Sequence, residues 1–383
     1  MSMTPADYYA AANLRENPFM ENPAVASHER ASLWVGYEKE RERLMRVLTQ
    51  ARSDQLGSTR FFLMYGGFGT GKSHALLWAQ NYILHQKREE FNSCAYFMRS
   101  LKTQGGKFSF HRAFQEFVIN QSDLLADLEK FSNFLKDKIS LYKREHEIPS
   151  DEDPKKVITK IFAAPELTNL AIKFYQANTK QELAAAIQVN DDFDSVLRFT
   201  SLVKLFTFNI PSTSISDNRF RRAVYLFIDE LDDLMGATSK EGRAVNDHLR
   251  HLYDSCQGCF GLGVAISAEL SELSAYFMDY VLTRIDRQIE LSLLDKKQAI
   301  EFIKGMLSTR RLTAADDFYP FTEETISYLV DQIVQLTPRK LVKAMYETIE
   351  QLRLGGYQPS ASNLVTLQVI EDFDIMEEVI ECL

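Results

Sequence analysis

Residues 66–73 read GGFGTGKS. It fits the pattern G-x-x-x-x-G-K-[ST], in which glycines let several backbone N–H groups curl around a phosphate at a helix N-terminus. The preceding apolar run, FFLMY (61–65), predicts a buried strand, and helical spacing follows from Lys72 to about His85. A strand, a glycine loop and a helix in this order predict a phosphate-binding loop.

The loop residues match the needs of a nucleoside triphosphate bound with magnesium. Lys72 is placed to reach the terminal phosphates, and Ser73 offers a hydroxyl to Mg²⁺, the ion that neutralises charge during phosphoryl transfer. The sequence therefore predicts ATP and Mg²⁺ as ligands. The residues of this stretch predicted to bind the nucleotide are Gly66, Gly67, Phe68, Gly69, Thr70, Gly71, Lys72, Ser73 and His74.

Two adjacent carboxylates end a second apolar run, AVYLFIDE (223–230). A buried strand ending at Ile228 places Asp229 and Glu230 at the carboxyl edge of a parallel sheet, where ligands of such sheets bind. Asp229 is predicted to hold Mg²⁺, and Glu230 to polarise the attacking water as general base. The alternative, that the two acids only cap the next helix, is weaker because an intact phosphate loop lies upstream.

Apolar runs separated by helical patterns predict an α/β fold with a parallel five-stranded P-loop sheet and helices on both faces. The predicted strands are 61–65, 94–98, 223–228, 260–266 and 287–291. Residues from about 114 to 218 have helical periodicity and are interpreted as a long helical insertion between the second and third strands.

The predicted organisation is a nucleotide-binding core over residues 1–293, a C-terminal helical lid domain over 294–355 and an acidic C-terminal helix over 356–383. The opening residues, up to about Ala31, form an arm with turns at Asn17-Pro18 and Asn22-Pro23. We expect this arm to wrap the core.

Composition limits the partners and the location. Asp and Glu number 53 against 44 Lys and Arg, a formal charge of -9, so any DNA contact must be local. No stretch approaches the roughly 18 uninterrupted apolar residues of a membrane span, and the first residues lack a secretory signal pattern. The expected location is the cytoplasm, with no membrane partner.

The cysteines do not form a disulfide framework, because there are only 4 in 383 residues, which fits a reducing compartment. Cys256 and Cys259 form a C-x-x-C after His248 and His251, so a zinc site is an alternative. The favoured interpretation is exposed helix histidines and packed thiols.

With both motifs and a trailing helical region, the chain resembles the AAA+ ATPases, and within them the replication-initiator and transposition-regulator branch. The resemblance covers most of the chain from about Asn17 to Leu354, excluding the insertion. It implies an ATPase that forms homo-oligomers and shares each ATP site between neighbouring subunits.

The resemblance also implies roles for single residues. Ser267, in GVAISAE, matches a polar sensor at the end of a strand. In YVLTRIDRQIEL, Arg284 is the first choice and Arg287 the second for an arginine finger, which stabilises transition-state charge in a neighbouring subunit. Arg339, in LTPRKLVKAM, matches a lid arginine that touches the terminal phosphate.

The stretch SLWVGYEKERERL resembles the adenine-side box of the same family, with Val35 and Gly36 in place. Tyr37 stands where an arginine is common, so that arginine's contacts are not expected, whereas adenine packing is.

A loop rich in basic and aromatic residues, LKTQGGKFSFHRAF, follows the second strand. Such residues can follow a nucleic-acid backbone by phosphate contact and base stacking, which makes DNA a possible partner. A solvated loop leading into an amphipathic helix is an equally good interpretation. The residues concerned are Lys102, Lys107, Phe108, Phe110, His111 and Arg112.

The favoured function is an ATP-gated switch that oligomerises on DNA and signals to a protein partner in transposition, replication or anti-phage defence. An alternative is an ATPase subunit of a larger protein complex, which docks through the helical insertion without touching DNA. A protein remodeller that threads its substrate is the weakest alternative, because no second pore element is visible.

Overall fold

Five strands form one parallel sheet in the computed structural model, which describes residues 5–19, 30–52, 59–103, 105–256 and 258–382. Their order across the sheet is β2-β3-β4-β1-β5. The α/β class and the five-stranded parallel sheet predicted from the sequence are therefore confirmed. The strands are β1 (Arg60–Tyr65), β2 (Cys94–Met98), β3 (Val224–Ile228), β4 (Phe260–Ile266) and β5 (Arg287–Glu290).

The apolar runs become central strands because the sheet is covered on both faces. Every residue of β3 and β4 is buried, as expected for parallel strands of this kind. The register pairs Ile228 of β3 with Val264 of β4, and Tyr65 of β1 with Ile266 of β4. These strands therefore end at one edge, where the chain continues into Asp229 after β3 and into residue 66 after β1.

Helices fill most of the remaining chain, and none among the described residues is both long and apolar enough to span a membrane. Before β3 they are α1 (Pro5–Ala11), α2 (Glu38–Ala51), α3 (Lys72–Asn81), α4 (Arg88–Phe91), α5 (Phe110–Ala113), α6 (Leu124–Glu145), α7 (Pro154–Ile161), α8 (Pro165–Gln176), α9 (Lys180–Ile187) and α10 (Asp192–Thr207). After β3 they are α11 (Ser239–Ser255), α12 (Leu273–Tyr276), α13 (Asp279–Leu282), α14 (Lys296–Thr309), α15 (Glu323–Asp331), α16 (Pro338–Leu354), α17 (Leu367–Asp372) and α18 (Ile375–Cys382). Stretches of π-helix at Tyr82–Gln86 and Phe114–Asn120 follow α3 and α5.

The helical insertion shares one hydrophobic core with the sheet. The ring of Phe131 on α6 lies 5.1 Å from that of Phe206 on α10 and 5.3 Å from that of Phe220, just before β3. Its helices α7, α9 and α10 begin at side-chain caps, formed by Asp153, Thr179 and Asp191. The insertion is thus packed as part of the sheet-bearing unit.

The contacts of the chain divide it into two units. We call Glu42–Tyr65 with Leu76–Glu290 the sheet unit, and Met1–Arg41 with Gly66–Ala75 and Leu291–Leu383 the lid unit. The phosphate loop falls in the lid unit. The sequence-based domain bounds at 293 and 355 follow the chain in order and remain predictions.

The N-terminal arm belongs to the lid unit, which differs from the expectation that it wraps the core. Tyr9 and Asn17 (3.0 Å) donate hydrogen bonds to the carboxylate of Glu350 on α16. Asn13 and Arg15 bond to the segment that follows α14, where the N–H of Arg15 donates to the carbonyl oxygen of Arg310 at 2.9 Å. The described part of the arm therefore lies on α16 and on the segment after α14. The predicted Asn22-Pro23 turn lies outside the described residues.

The C-terminal segment forms two short helices where the sequence suggests one. α17 ends at Asp372, and Asp374, with a φ of +50°, breaks the helical path before α18. α18 packs on α16 and buries Ile375 and Val379. The apolar stripe of this segment is therefore covered within the lid unit.

Candidate functional site

The phosphate loop, residues 66–71, connects β1 to α3. Gly66, Gly69 and Gly71 have φ values of +145°, +79° and +98°, which other residues rarely adopt. A Cβ on Gly66 would stand 2.2 Å from the carbonyl oxygen of Leu291, whereas one on Gly71 would meet no atom within 4 Å. The loop therefore has the curl and the open side that a bound phosphate needs.

Two side chains support the loop from within. Lys72 donates from Nζ to the carbonyl oxygens of Gly66 (3.0 Å) and Gly67 (2.8 Å). Thr70 is buried and donates from Oγ1 to the same Gly67 oxygen at 2.9 Å. Phe68, by contrast, is 72% exposed, so its ring contributes nothing to the core. The ammonium predicted to reach the terminal phosphates is thus held at the loop.

The lid helix α16 begins against the phosphate loop. Thr337 caps α16, and Arg339 donates its backbone N–H to the carbonyl oxygen of Gly69 at 3.2 Å. A Cβ on Gly69 would lie 3.1 Å from Cβ of Arg339 and 3.2 Å from Oγ1 of Thr337. The structure thus places the predicted lid arginine directly beside the loop.

His74 ties the start of α3 to the predicted adenine-side segment, residues 33–37. Its Nε2 lies 2.6 Å from the carbonyl oxygen of Leu33. A carbonyl oxygen only accepts, so this nitrogen carries the hydrogen. Burial lowers the pKa of His74, which favours the neutral ring.

The other end of this segment is fixed by Tyr37. Its φ is +54°, and its hydroxyl donates to the carbonyl oxygen of Ser292 at 2.7 Å. Val35 and Gly36 lie between the two anchored ends. The tyrosine that departs from the family pattern therefore has a structural role of its own.

In the sheet unit, the acidic pair follows β3 as predicted. Asp229 is 4% exposed, and its N–H donates to the carbonyl oxygen of Met98 at 2.9 Å. Glu230 has a φ of +51°, a strained conformation for a side chain of this size, and such strain collects at functional sites. Partial desolvation raises the pKa of Glu230 although the residue is exposed, Arg99 opposes this, and Asp232 and Asp233 raise the pKa further. A raised pKa suits a group that is to accept a proton.

Ser267 follows β4 and lies beside the turn that succeeds Glu230. Its backbone N–H donates to the carboxylate of Asp232. The neighbouring Asp233 forms an ion pair with Lys102 at 2.9 Å. The predicted sensor is thus joined to the acidic strand end. The side chain of Lys102, a residue of the basic and aromatic loop, is bound there to Asp233.

The two candidate arginine fingers are held differently. Arg284 forms a two-pronged ion pair with Asp254, at 2.7 Å and 2.8 Å, and also donates to the carbonyl oxygen of Tyr280. Arg287 starts β5, is exposed, and donates to the carbonyl oxygen of Asp286 at 3.1 Å. Arg284 is therefore the better ordered of the two.

The basic and aromatic loop forms one wall of a cleft in the sheet unit. Lys107, Phe108 and Phe110 lie on one side, and Lys240 and His248 of α11 lie on the other. Glu241 also lines the cleft, so two lysines face one carboxylate, and this excess of positive charge makes the cleft a candidate site for an anionic chain.

The zinc alternative gains no support from the thiols. Burial raises the pKa of Cys256 to about 12, and Cys259 accepts a hydrogen bond from Arg219. In the part of the chain that the structure describes, no group of three or more His, Cys, Asp or Glu could hold a metal.

Several residues beside these sites carry no sequence motif. Arg99 lowers the pKa of Glu230, and Asp232 accepts a hydrogen bond from Ser267. Asp254 pairs with Arg284, and Thr337 lies against Gly69. The signal that could have found Thr337 is its position as a cap before the proline of α16. For Arg99, Asp232 and Asp254 the neighbouring sequence contains no pattern that would indicate such a role.

The residues present fit the predicted ligands. Open space beside Gly71, with the three left-handed glycines, suits a phosphate, and the hydroxyl of Ser73 and the carboxylate of Asp229 are oxygen donors of the kind that Mg²⁺ prefers.

No protein-family model and no curated protein matches the chain. Among solved structures it is similar to domain III of the Thermotoga maritima replication initiation protein DnaA, with 14% identity over 92% of this chain and 98% of that chain and a TM-score of 0.40. It is also similar to the Aeropyrum pernix ORC2 protein (11% identity, 92% and 72% covered, TM-score 0.47) and to the Thermotoga maritima RuvB Holliday junction branch migration motor (11%, 91% and 69%, 0.39). These proteins are AAA+ ATPases and include the replication initiators that the motifs resemble. At such identities and TM-scores, function has to be argued from the residues of this chain.

The close approach at Gly66 can be tested by adding one methyl group. Gly66→Ala should destabilise the fold by about 1–3 kcal/mol, because the new Cβ would collide with Leu291 at a strained φ. Gly67→Ala is the matched control, since no atom lies within 4 Å of its Cβ. Urea unfolding measures both variants, and equal stabilities would contradict the close approach.

Proposed function

We propose that this chain is an AAA+ ATPase that binds Mg-ATP through residues 66–73 and hydrolyses it. The observation that carries the proposal is the phosphate loop, with its left-handed glycines and with Lys72 held at its carbonyls. A nucleoside triphosphate with Mg²⁺ is the ligand for which this loop pattern is suited.

In this proposal, Asp229 holds Mg²⁺ together with Ser73, and Glu230 takes the proton of the attacking water. The support comes from topology: β1 and β3 end at one edge of the sheet, and the loop and the acids follow directly along the chain. The raised pKa of Glu230 makes its carboxylate a stronger base than an ordinary glutamate.

The protein is further proposed to form oligomers in the cytoplasm, with Arg284 acting on the ATP of a neighbouring subunit. Arg339 would report the terminal phosphate to the lid helix, since its backbone already bonds to the loop. A partly exposed arginine, ordered by one carboxylate, is suited to a role in an adjacent active site.

The switch is proposed to act on DNA and to signal to a protein partner in transposition, replication or anti-phage defence. The cleft with Lys107 and Lys240 on opposite walls supports DNA contact, because its lining carries two lysines against one carboxylate, that of Glu241, within an acidic chain. The alternative, a subunit that docks through its helical insertion, has in its favour the many exposed residues on α6 to α9.

Replacing the proposed base should stop hydrolysis without preventing ATP binding. Glu230→Gln should lower turnover by about 10²–10⁴-fold, because no group then accepts the proton of water.

In the wild type, turnover should fall on acidification at a pH above the pKa of an ordinary glutamate, since the pKa of Glu230 is raised. Arg99→Met should move this fall to still higher pH, because Arg99 lowers that pKa. Steady-state ATPase assays measure the turnover of each variant and its dependence on pH. Unchanged turnover of Glu230→Gln would exclude Glu230 as the base.

Shared active sites predict complementation between two inactive variants. Lys72→Ala should lack a working loop and Arg284→Ala a working finger, so mixed oligomers would contain some complete sites. Mixing the two proteins at several ratios should restore part of the ATPase rate. Absence of recovery at every ratio, with mixed oligomers seen by mass, would count against a finger acting across subunits.

The choice between DNA and protein partners can be made by stimulation assays. DNA should raise the ATPase rate, and added salt should reverse this steeply, because counterions compete for the phosphate contacts. Lys107→Ala combined with Lys240→Ala should abolish the stimulation, whereas Lys180→Ala, on α9 of the insertion, should not. Stimulation by a co-purifying protein alone would favour the docking alternative.

A further inference from the structure

The segment 33–37 is positioned by a contact that its sequence does not reveal. Val35 packs against α14 at Gly305, where an added Cβ would stand only 2.5 Å from Cγ1 of Val35. The next nearest atoms of Val35 lie 3.8 Å and 3.9 Å away, so a single methyl group of Val35 fills the space. Gly36, beside it, faces Phe302 of the same helix.

Gly305 has no conformational reason to be glycine. It lies inside α14 and not among the glycines with positive φ, and glycine weakens a helix interior relative to alanine. Close approach of Val35 is therefore what its missing side chain permits.

Three contacts from different parts of the lid unit thus hold the segment. His74 of α3 holds Leu33, Gly305 of α14 receives Val35, and the carbonyl oxygen of Ser292 accepts from Tyr37. The first and the third contact lie on either side of Val35 and Gly36, the residues predicted to face adenine, and the second is made by Val35 itself. His74 directly follows Ser73 of the phosphate-binding stretch. The segment is therefore fixed both to the phosphate side and to the lid.

We infer that Gly305 and Tyr37 are positioning residues for nucleotide recognition, which set Val35 and Gly36 against the purine base from outside the phosphate-binding stretch 66–74. This inference rests on the proposed binding of ATP. The proposed site then has two parts. The loop binds the phosphates, and the segment 33–37, whose position depends on α14, contacts the base.

The inference can be tested with two ligands that differ in the base. Affinities for a non-hydrolysed ATP analogue and for inorganic tripolyphosphate, each with Mg²⁺, are measured by calorimetry. Gly305→Ala should weaken binding of the ATP analogue by about 10- to 100-fold, because Val35 is displaced. Its affinity for tripolyphosphate should be unchanged, because the loop is untouched.

The matched controls are provided by the chain itself. Gly242→Ala, in α11, adds the same methyl group where no atom lies within 4 Å, and should alter neither affinity. Combining Gly305→Ala with Val35→Ala removes the colliding Cγ1 and should restore ATP affinity to that of Val35→Ala alone.

A second variant covers the case in which Gly305→Ala does not fold. Tyr37→Phe removes the hydrogen bond to the carbonyl oxygen of Ser292 and should also weaken binding of the ATP analogue but not of tripolyphosphate. Equal losses for both ligands, or no loss for the ATP analogue, in the folded variants would overturn the inference. If the wild type binds neither ligand, the proposed ATP site itself fails.

Discussion

The structure depends on one close approach of two backbones, where the chain leaves β1 and passes the carbonyl oxygen of Leu291. A side chain at Gly66 would overlap that oxygen, so only glycine allows the loop to turn there. The turn sets the path of the following loop, and Arg339 and Thr337 then pack against it at Gly69. Because the same few atoms fix the loop and the start of α16, a ligand that displaces the loop would also act on the lid helix.

Much of the fold could be predicted because its signals are local. The runs CAYFM and FGLGVAI form β2 and β4 with the predicted bounds, and β1 and β3 differ from prediction by one residue. Such runs are short, apolar and bounded by polar residues or glycine, so their type and length follow from sequence alone. The phosphate loop and the acidic pair are predicted in the same way, since each motif is contiguous and directly follows a strand.

What the sequence did not predict depends on contacts between distant residues. Asp254 and Arg284 are 30 positions apart, Asn17 and Glu350 are 333 apart, and Val35 meets Gly305 on a helix whose pattern gives no hint of it. Glycine at 305 weakens the interior of α14 relative to alanine, and only the contact with Val35 explains why it stands there. The place of the arm could not be predicted for the same reason: Tyr9 and Asn17 bind Glu350 across 341 and 333 positions, and no periodicity in the sequence indicates these contacts.

Arg284 shows how an observed contact and a proposed role can coexist. Its guanidinium is held by both oxygens of Asp254, with 26% of its side chain exposed. Ion pairs at exposed positions contribute about 0–1 kcal/mol. An arginine finger accelerates phosphoryl transfer by about 10³–10⁵-fold, which corresponds to about 4–7 kcal/mol of transition-state stabilisation. In the proposed role, exchanging Asp254 for the charge of a transferring phosphoryl group is therefore favourable. The ion pair then orders the arginine before assembly and does not prevent its release.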